Sequence, residues 1–360
     1  MDFSKLNQNE RLRYLKAETK LTKEEAEILR TGKMELKDAE MIIENVIGTI
    51  PIPIGIATNF AINGKKFLIS MATEQRSIIN AASKAAAWTL PTGGFKACNT
   101  GSIMLGQIQV LRIRNYERAK HQIFANKQKI LSLANTQSST RKAVDLRVRK
   151  LKSPPMLLVE LVVDVKDSMG ANIVDSMCEV VSPLIESLTH GKVNLRIVSN
   201  LATERLVRVE ASIKKNLVGG ENIVDRIVSA CAFAEKDPFR AATHNKGILN
   251  GVSSVLLAVG NDTRAVEAGA HAFAALSGRY TPLSFCIKNP EGDLEGVLEM
   301  PMAVGTVGGS VSSNPTARIC LKILGVERAT ELGEVAASVG LACNLFALHS
   351  LVTKRKAVIS

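Results

Sequence analysis

The spacing of apolar and polar positions divides the first 90 residues into three segments with different predicted secondary structure. Residues 1–43 carry apolar side chains at helical intervals, as in LTKEEAEILRTG, and predict short amphipathic helices. Residues 44–75 are rich in β-branched side chains and contain the turn pair Asn63–Gly64, which predicts extended chain and a hairpin. The Ala-rich segment 77–90 predicts a closely packed, buried helix.

The middle of the chain, from about residue 104 to residue 215, alternates strand and helix patterns. The strand-like segment MLGQIQVLRI precedes a polar helix, a basic strand, the apolar strand MLLVELVVDV and a second helix. VNLRIVSN and RLVRVEASIK read as two further strands. One sheet covered by two helices is an α+β arrangement of the ferredoxin-like type. We therefore predict an inserted domain, residues 107–215, within a larger domain formed by residues 1–106 and 216–360.

The last third of the chain is mostly helical, so the larger domain is predicted to be mostly helical as well. We expect no apolar run to approach the ~18 residues that a membrane-spanning helix requires, and no membrane attachment is expected. The first residues, MDFSKLNQNERLRYLKAETK, are polar and lack an apolar signal core. The expected compartment is the cytoplasm.

The formal net charge of +12 indicates an anionic partner. Nucleic acid is one candidate, but aromatic residues make up only 4% of the chain, so side chains for base stacking are scarce. A phosphate-bearing small molecule explains the charge equally well. The six cysteines form no CxxC pair, and neither a metal site nor a disulfide framework is expected.

Two polar segments could carry chemistry. The sequence DSMGAN follows an apolar strand and opens a helix, which predicts either an anion site or an ordinary turn relieved by Gly170. Further along, Asp262 precedes a helix and could be an N-cap or a catalytic residue. Lys246 could be a solvated charge, or a partly buried ammonium that stabilises an oxyanion. Local sequence alone favours the structural interpretation of each.

The order of seven short motifs is far more specific than any one of them. They are ENVIG at 44–48, MATE at 71–74, GGF at 93–95, DSMGAN at 167–172, HNKG at 244–247, GND at 260–262 and GTVGG at 305–309. In this order the chain resembles 3-hydroxy-3-methylglutaryl-coenzyme A (HMG-CoA) reductase of the soluble, bacterial-type class II. The resemblance runs from about residue 40 to residue 351.

The resemblance implies two successive reductions of a thioester by a nicotinamide cofactor, which yield mevalonate and free coenzyme A. It implies that Lys246 polarises the carbonyl oxygen and that Asp262 tunes this lysine. Substrate binding would fall to Ser77, Arg240 and Asn250. It also implies a homodimer or a larger assembly whose active sites form between subunits, and no metal ion.

By the same resemblance, the inserted domain would bind the nicotinamide cofactor. The residues implied are Asp145, Met169, Gly170, Ala171, Asn172 and Asn200. A carboxylate at Asp145 favours the free ribose hydroxyl of NAD. Arg141 and Lys142 stand just before it and could instead contact the phosphate of NADP, so both cofactors stay open.

The sequence departs from the family pattern at the expected catalytic glutamate, where it has Gln75. An amide has no carboxyl proton to transfer, and the neighbouring Glu74 would face the opposite side of an extended chain. The family also implies a histidine on a flap after the last helix. The given sequence ends at Ser360, and we expect its five histidines to be surface or hydrogen-bonded core residues. The alternative hypothesis is therefore an impaired or diverted homologue that binds coenzyme A without the full reaction.

Overall fold

Two separate sheets organise the chain, and the computed structural model describes residues 3–32 and 34–353 of it. Within those ranges six strands form a mixed sheet in the order β2-β1-β3-β8-β10-β9, and four form a second sheet in the order β5-β6-β4-β7. The chain divides accordingly into a larger unit, up to residue 99 and from residue 206 onward, and a smaller unit, residues 100–205.

The larger unit takes its elements from both ends of the chain. Its first part contains α1 (Gln8–Thr19), α2 (Lys23–Thr31), α3 (Leu36–Glu40), β1 (Ile54–Ile62), β2 (Lys65–Ala72), α4 (Ile78–Thr89) and β3 (Phe95–Asn99). The smaller unit follows with β4 (Ile103–Leu111), α5 (Tyr116–Ala125), α6 (Lys127–Ala134), β5 (Lys142–Lys152), β6 (Pro155–Asp164), α7 (Ala171–Thr189) and β7 (Lys192–Val198).

The larger unit then resumes and ends with its longest helices. These elements are β8 (Leu206–Ile213), α8 (Lys215–Val218), α9 (Glu221–Lys236), α10 (Pro238–Ala258), α11 (Thr263–Ala274), β9 (Ser284–Lys288), β10 (Leu294–Pro301), α12 (Gly309–Ser313), α13 (Pro315–Leu324) and α14 (Ala329–Thr353). The α+β class predicted from the sequence is confirmed.

The smaller unit has the chain order strand, helices, strand, strand, helix, strand. All three of its strand pairs are antiparallel, and this connectivity is the ferredoxin-like arrangement. The strand RLVRVEASIK, which we assigned to this unit, instead lies in the large sheet. As β8 it pairs along its whole length with β10 and also with β3. The smaller unit therefore spans 100–205, whereas the predicted inserted domain spanned 107–215.

Helix α14 is the centre of the larger unit and packs against α10, α4 and α9. It is long and apolar enough to cross a membrane, so the expectation that no apolar run approaches that length is wrong here. Its most apolar window is 67% buried within the protein. A core helix enclosed by other helices and a sheet has the same composition as a membrane span, because both are surrounded by apolar groups.

Glycines allow α10 and α14 to approach closely. A Cβ atom on Gly251 would lie 2.7 Å from the carbonyl oxygen of Val339, and one on Gly340 would lie 2.7 Å from Cγ2 of Val252. Real Cβ contacts are longer than this, so a larger residue at either position would push the helices apart. The position of α10 is therefore fixed by its contact with α14.

A buried polar chain also ties α10 to its neighbours. Nε2 of His244 lies 2.6 Å from Oγ of Ser284, whose hydroxyl donates to Oδ1 of Asn344 at 2.9 Å. The contacts join α10, β9 and α14. Burial, with a smaller contribution from the positive charge of Arg240, lowers the pKa of His244 from 6.5 to about 4. His244 is therefore neutral in the folded protein near pH 7.

We predict that the free energy of unfolding falls as the pH drops from about 6.5 towards 4. In this window the unfolded chain protonates His244 while the folded protein does not, so acid favours the unfolded state. The full effect is on the order of 3 kcal/mol. Denaturant unfolding of the wild type and of His244→Asn at several pH values checks this, because Asn cannot be protonated. Equal slopes of stability against pH in the two proteins would contradict it.

Candidate active site

A cleft of about 300 Å³ in the larger unit collects several residues that the sequence singled out. It lies between the loop after β2 and the helices α10 and α11. The polar residues that line it include Glu74, Gln75, Lys246, Asn250, Glu267 and His271. A larger cavity of about 530 Å³ beside β9 contains none of the predicted site residues. The smaller cleft is therefore the candidate active site.

Helix α10 presents the basic side of this cleft. It begins with Pro238, after Asp237, whose carboxylate accepts a hydrogen bond from the N–H of Arg240 at 3.1 Å. Such a cap satisfies an N–H group that the helix leaves unpaired. Lys246 and Asn250 are four residues apart and so lie on the same helix face. Both side chains line the cleft.

The loop after β2 provides the partner of the lysine. Nζ of Lys246 donates to Oε1 of Gln75 at 2.9 Å, and the N–H of Gln75 donates to Oγ1 of Thr73 at 3.1 Å. An amide oxygen orients the ammonium but cannot neutralise it, and no ion pair involves Lys246 within residues 3–32 and 34–353. Its positive charge remains available to a ligand.

Helix α11 presents a second stripe of polar groups that our sequence analysis did not single out as functional. Thr263, Glu267 and His271 recur every four residues and all line the cleft. Oγ of Ser253 donates to Oε1 of Glu267 at 2.5 Å, which joins α10 to α11. Nδ1 of His271 lies 2.7 Å from the hydroxyl of Tyr280. The four-residue spacing of Glu267 and His271 was the available sequence signal.

Other predicted site residues lie outside this arrangement. Asp262 is the N-cap of α11: its Oδ1 accepts from the N–H of Ala265 at 3.1 Å and lies 3.6 Å from Nε of Arg264. Among the described residues no hydrogen bond or ion pair joins it to Lys246. Ser77 precedes α4 in a left-handed conformation, with φ of 71°, and is not among the residues that line the cleft.

In the smaller unit, the residues predicted to bind a cofactor gather at one edge of the sheet. Asp145 lies near the start of β5, whose first residue, Lys142, pairs with Asp164 at the end of β6. Strands β6 and β7 run in the same direction, because both are antiparallel to β4. The end of β7 and the following Asn200 therefore reach the same edge.

The connection from β6 to α7 crosses this edge and contains Met169 and Gly170. Gly170 has a φ of 103°, and a Cβ atom there would lie 2.6 Å from Cγ1 of Val165. Only glycine fits both conditions. Ala171 and Asn172 are the first residues of α7, where unpaired N–H groups attract anions.

Two arginines hold the connection in place. Nη1 of the buried Arg205 donates to the carbonyl oxygens of Ser168 and Met169, at 3.2 and 3.3 Å. Nε of Arg141 donates to Oγ of Ser168 at 3.0 Å. Sequence reasoning overlooked Arg205, because nothing local distinguishes it. Burial lowers its pKa to about 10, so it remains charged near neutral pH.

Asp145 is paired rather than isolated at this edge. Its Oδ1 lies 2.5 Å from Nζ of Lys127, and this ammonium is the main reason that the pKa of Asp145 is below its ordinary value. The negative charge of Asp145 is therefore partly compensated by Lys127, and it would repel an approaching phosphate less than an unpaired carboxylate would.

Comparison with known proteins identifies the family to which the chain belongs. A family profile described as hydroxymethylglutaryl-coenzyme A reductase matches residues 7–357. The chain belongs to the HMG-CoA reductase family. It is similar to 3-hydroxy-3-methylglutaryl-coenzyme A reductase of Archaeoglobus fulgidus, with 48% identity over 98% of this chain and 82% of that protein. It is 33% identical to a probable HMG-CoA reductase of Borreliella burgdorferi, over 86% of this chain and 73% of that protein.

Solved structures agree with the sequence relatives. The class II HMG-CoA reductase of Streptococcus pneumoniae, in a structure bound to NADPH, matches with a TM-score of 0.94 and 37% identity. The match covers 98% of this chain and 99% of that one. The resemblance inferred from the seven motifs is confirmed, and the chain is an oxidoreductase of this family. The alternative, a diverted homologue that only binds coenzyme A, has no support in these comparisons.

Proposed function

We propose that the cleft beside Lys246 is where this enzyme interconverts HMG-CoA with mevalonate and coenzyme A. The observation that supports this is the ammonium of Lys246, held 2.9 Å from a neutral amide oxygen and without an ion-pair partner among the described residues. The net charge of +12 suits substrates that carry several phosphates.

Lys246 would act on the carbonyl oxygen of the thioester. That oxygen gains negative charge as the carbon is reduced, and a positioned ammonium stabilises this charge more than it stabilises the neutral substrate. NAD(P)H supplies the hydride when bound. Gln75 would keep the ammonium aimed into the cleft through both reductions.

The remaining predicted residues would bind the acid end of the substrate. Asn250 lies one helical turn from Lys246 and can hydrogen bond a hydroxyl. No hydrogen bond of the Arg240 guanidinium occurs within the described ranges, so it can bind a carboxylate in a bidentate manner. Ser77 would complete this set by analogy with the family.

We expect Lys246→Ala to lower kcat for HMG-CoA reduction by about 10²–10³-fold, because one preorganised charge at the oxyanion is lost. The lysine is exposed, so the melting temperature should change little. Lys236→Ala is the matched control, since Lys236 is an exposed lysine at the end of α9, paired with Glu235. Steady-state kinetics of the three proteins test this. Equal losses in both variants would exclude the proposed role.

The smaller unit would bind the nicotinamide cofactor at its polar edge, and the groups present fit a dinucleotide. The start of α7 offers free N–H groups for phosphate, and Arg141 and Lys142 add positive charge beside Asp145. The carboxylate of Asp145 favours the free ribose hydroxyl of NADH. Its ion pair with Lys127 reduces its repulsion of the extra phosphate of NADPH. We propose that both cofactors bind.

Arg141→Ala should weaken NADPH binding by about tenfold while changing the Kd for NADH little. The expected loss corresponds to one charge-assisted contact with the extra phosphate. Fluorescence titration of the purified variant with each cofactor measures both constants. A similar change in the two constants would mean that Arg141 only supports the loop through Ser168.

We also propose a homodimer in which Asp262 of one subunit serves Lys246 of the other. Within one chain α10 rises about 18 Å between Lys246 and its end at Ala258, and no contact joins the two side chains among the described residues. A second copy would bring them together without a change of fold.

Mixing two inactive variants tests this assembly. Lys246→Ala and Asp262→Ala subunits, unfolded together and refolded, should regain part of the wild-type activity, since a mixed dimer contains one site with both residues. Each variant refolded alone is the control. If the mixture stays as inactive as its components while sedimentation shows dimers, the shared site is wrong.

A location in the cytoplasm is part of the proposal. It is supported by the burial of α14, the one helix among the described residues with the length and composition of a membrane span. Fractionation of cells that express the protein should recover it without detergent, and recovery only with the membranes would contradict this.

A further inference from the structure

The glycine loop, residues 305–309, is one of the ordered sequence motifs, and the proposed function gives it no role. It lies between β10 and α12, and its first two residues, Gly305 and Thr306, are buried. Oγ1 of Thr306 donates a hydrogen bond to the backbone carbonyl oxygen of Glu327 at 2.7 Å. Glu327 lies in the connection between α13 and α14. The start of the loop is therefore held on one side by the chain that leads into α14.

Asn261 holds the same loop from the other side. Its Nδ2 donates to the carbonyl oxygen of Gly305 at 2.9 Å, and its Oδ1 accepts from the N–H of Gly305 at 2.7 Å. Because both bonds come from one planar amide, they fix the direction of the contact as well as its length. The backbone N–H of Asn261 donates to the carbonyl oxygen of Leu256, in the last turn of α10, at 2.9 Å. Asn261 therefore joins the glycine loop to the end of α10.

The residue that follows Asn261 is Asp262, which the proposed function places in the active site. Oδ1 of Asp262 accepts from the N–H of Ala265, and no hydrogen bond reaches its Oδ2 within residues 3–32 and 34–353. The side chain of Asp262 is 46% exposed. The position of this carboxylate therefore depends on the backbone on its two sides, which is α11 after it and Asn261 before it.

We propose that Asn261 is a positioning residue for Asp262, and that the glycine loop serves to hold Asn261. This inference rests on the proposed function, in which Asp262 acts on Lys246 of the partner subunit. A carboxylate that serves a group in another subunit has to be fixed by its own chain. The precision matters, since a misplacement of about 1 Å caused by a distant substitution can lower a catalytic rate by about 10²-fold.

The chain offers a matched control in Asn63, which makes the same kind of contact elsewhere in the larger unit. Nδ2 of Asn63 donates to the carbonyl oxygen of Ala97 at 2.9 Å, and its Oδ1 accepts from the N–H of Ala97 at 2.9 Å. Asn63 lies in the turn between β1 and β2, and neither residue lines the cleft. Loss of this amide should therefore affect stability and not the reaction.

The first test compares Asn261→Ala with Asn63→Ala. Asn261→Ala should lower kcat for HMG-CoA reduction by about 10–10²-fold and change KM by less than about twofold, because α10 still presents the substrate-binding groups. Asn63→Ala should keep kcat while losing at least as much stability, since its φ of 50° is strained for alanine. Steady-state kinetics and denaturant unfolding of both variants and the wild type measure these quantities.

The second test repeats the substitution in a chain without the carboxylate. In Asp262→Ala, the further change Asn261→Ala should leave the residual rate unaltered, because no carboxylate remains to be positioned. A purely structural role would lower the rate by the same factor in both backgrounds.

Thr306→Val tests the far end of the same path and removes the hydroxyl at nearly constant volume. It should lower kcat less than Asn261→Ala does, and this effect should also vanish in Asp262→Ala. If Asn261→Ala does not fold, the comparison of Thr306→Val in the two backgrounds decides the question by itself.

Equal loss of kcat in Asn261→Ala and Asn63→Ala would overturn the positioning role and leave the proposed function intact. An effect of Asn261→Ala that persists undiminished in Asp262→Ala would do the same. If Asp262→Ala instead turns over at the wild-type rate, or if the wild type does not reduce HMG-CoA, the proposed function fails and the role of Asn261 fails with it.

Discussion

Close packing of α10 against α14 determines where the cleft residues of α10 lie. The two helices meet at Gly251 and Gly340, where even a methyl group would be too close to the opposite helix. The buried chain from His244 through Ser284 to Asn344 fixes the same helix from another side. Because α10 cannot shift, Lys246 and Asn250 project from one rigid face, and a rigid face is what preorganised catalysis requires.

The two units present positive charge differently. In the larger unit a lysine is oriented by the neutral amide of Gln75, so its full charge faces the cleft. In the smaller unit the buried guanidinium of Arg205 holds the carbonyl oxygens of the connection before α7, and the helix N-terminus provides the N–H groups. The positive charge at that edge is thus partly structural and partly available to a ligand.

Sequence reasoning predicted the α+β class and placed Gln75, Lys246 and Asn250 in one functional set, and the structure brings these three together. It assigned β8 to the wrong sheet, because the alternating sequence pattern of this strand would suit either sheet. Only the pairing of β8 with β10 in the folded structure shows to which sheet it belongs. Arg205 was overlooked for a related reason. Its importance comes from contacts with Ser168 and Met169, which are distant from it in sequence.

The most direct test of this account is the consumption of reduced nicotinamide by the purified wild-type chain in the presence of HMG-CoA, followed by near-ultraviolet absorbance. We predict turnover with release of free thiol and two hydride equivalents consumed for each thioester, despite the amide at Gln75. Binding of HMG-CoA without any oxidation of NADH or NADPH would contradict the account, because the cleft would then bind the substrate and not reduce it.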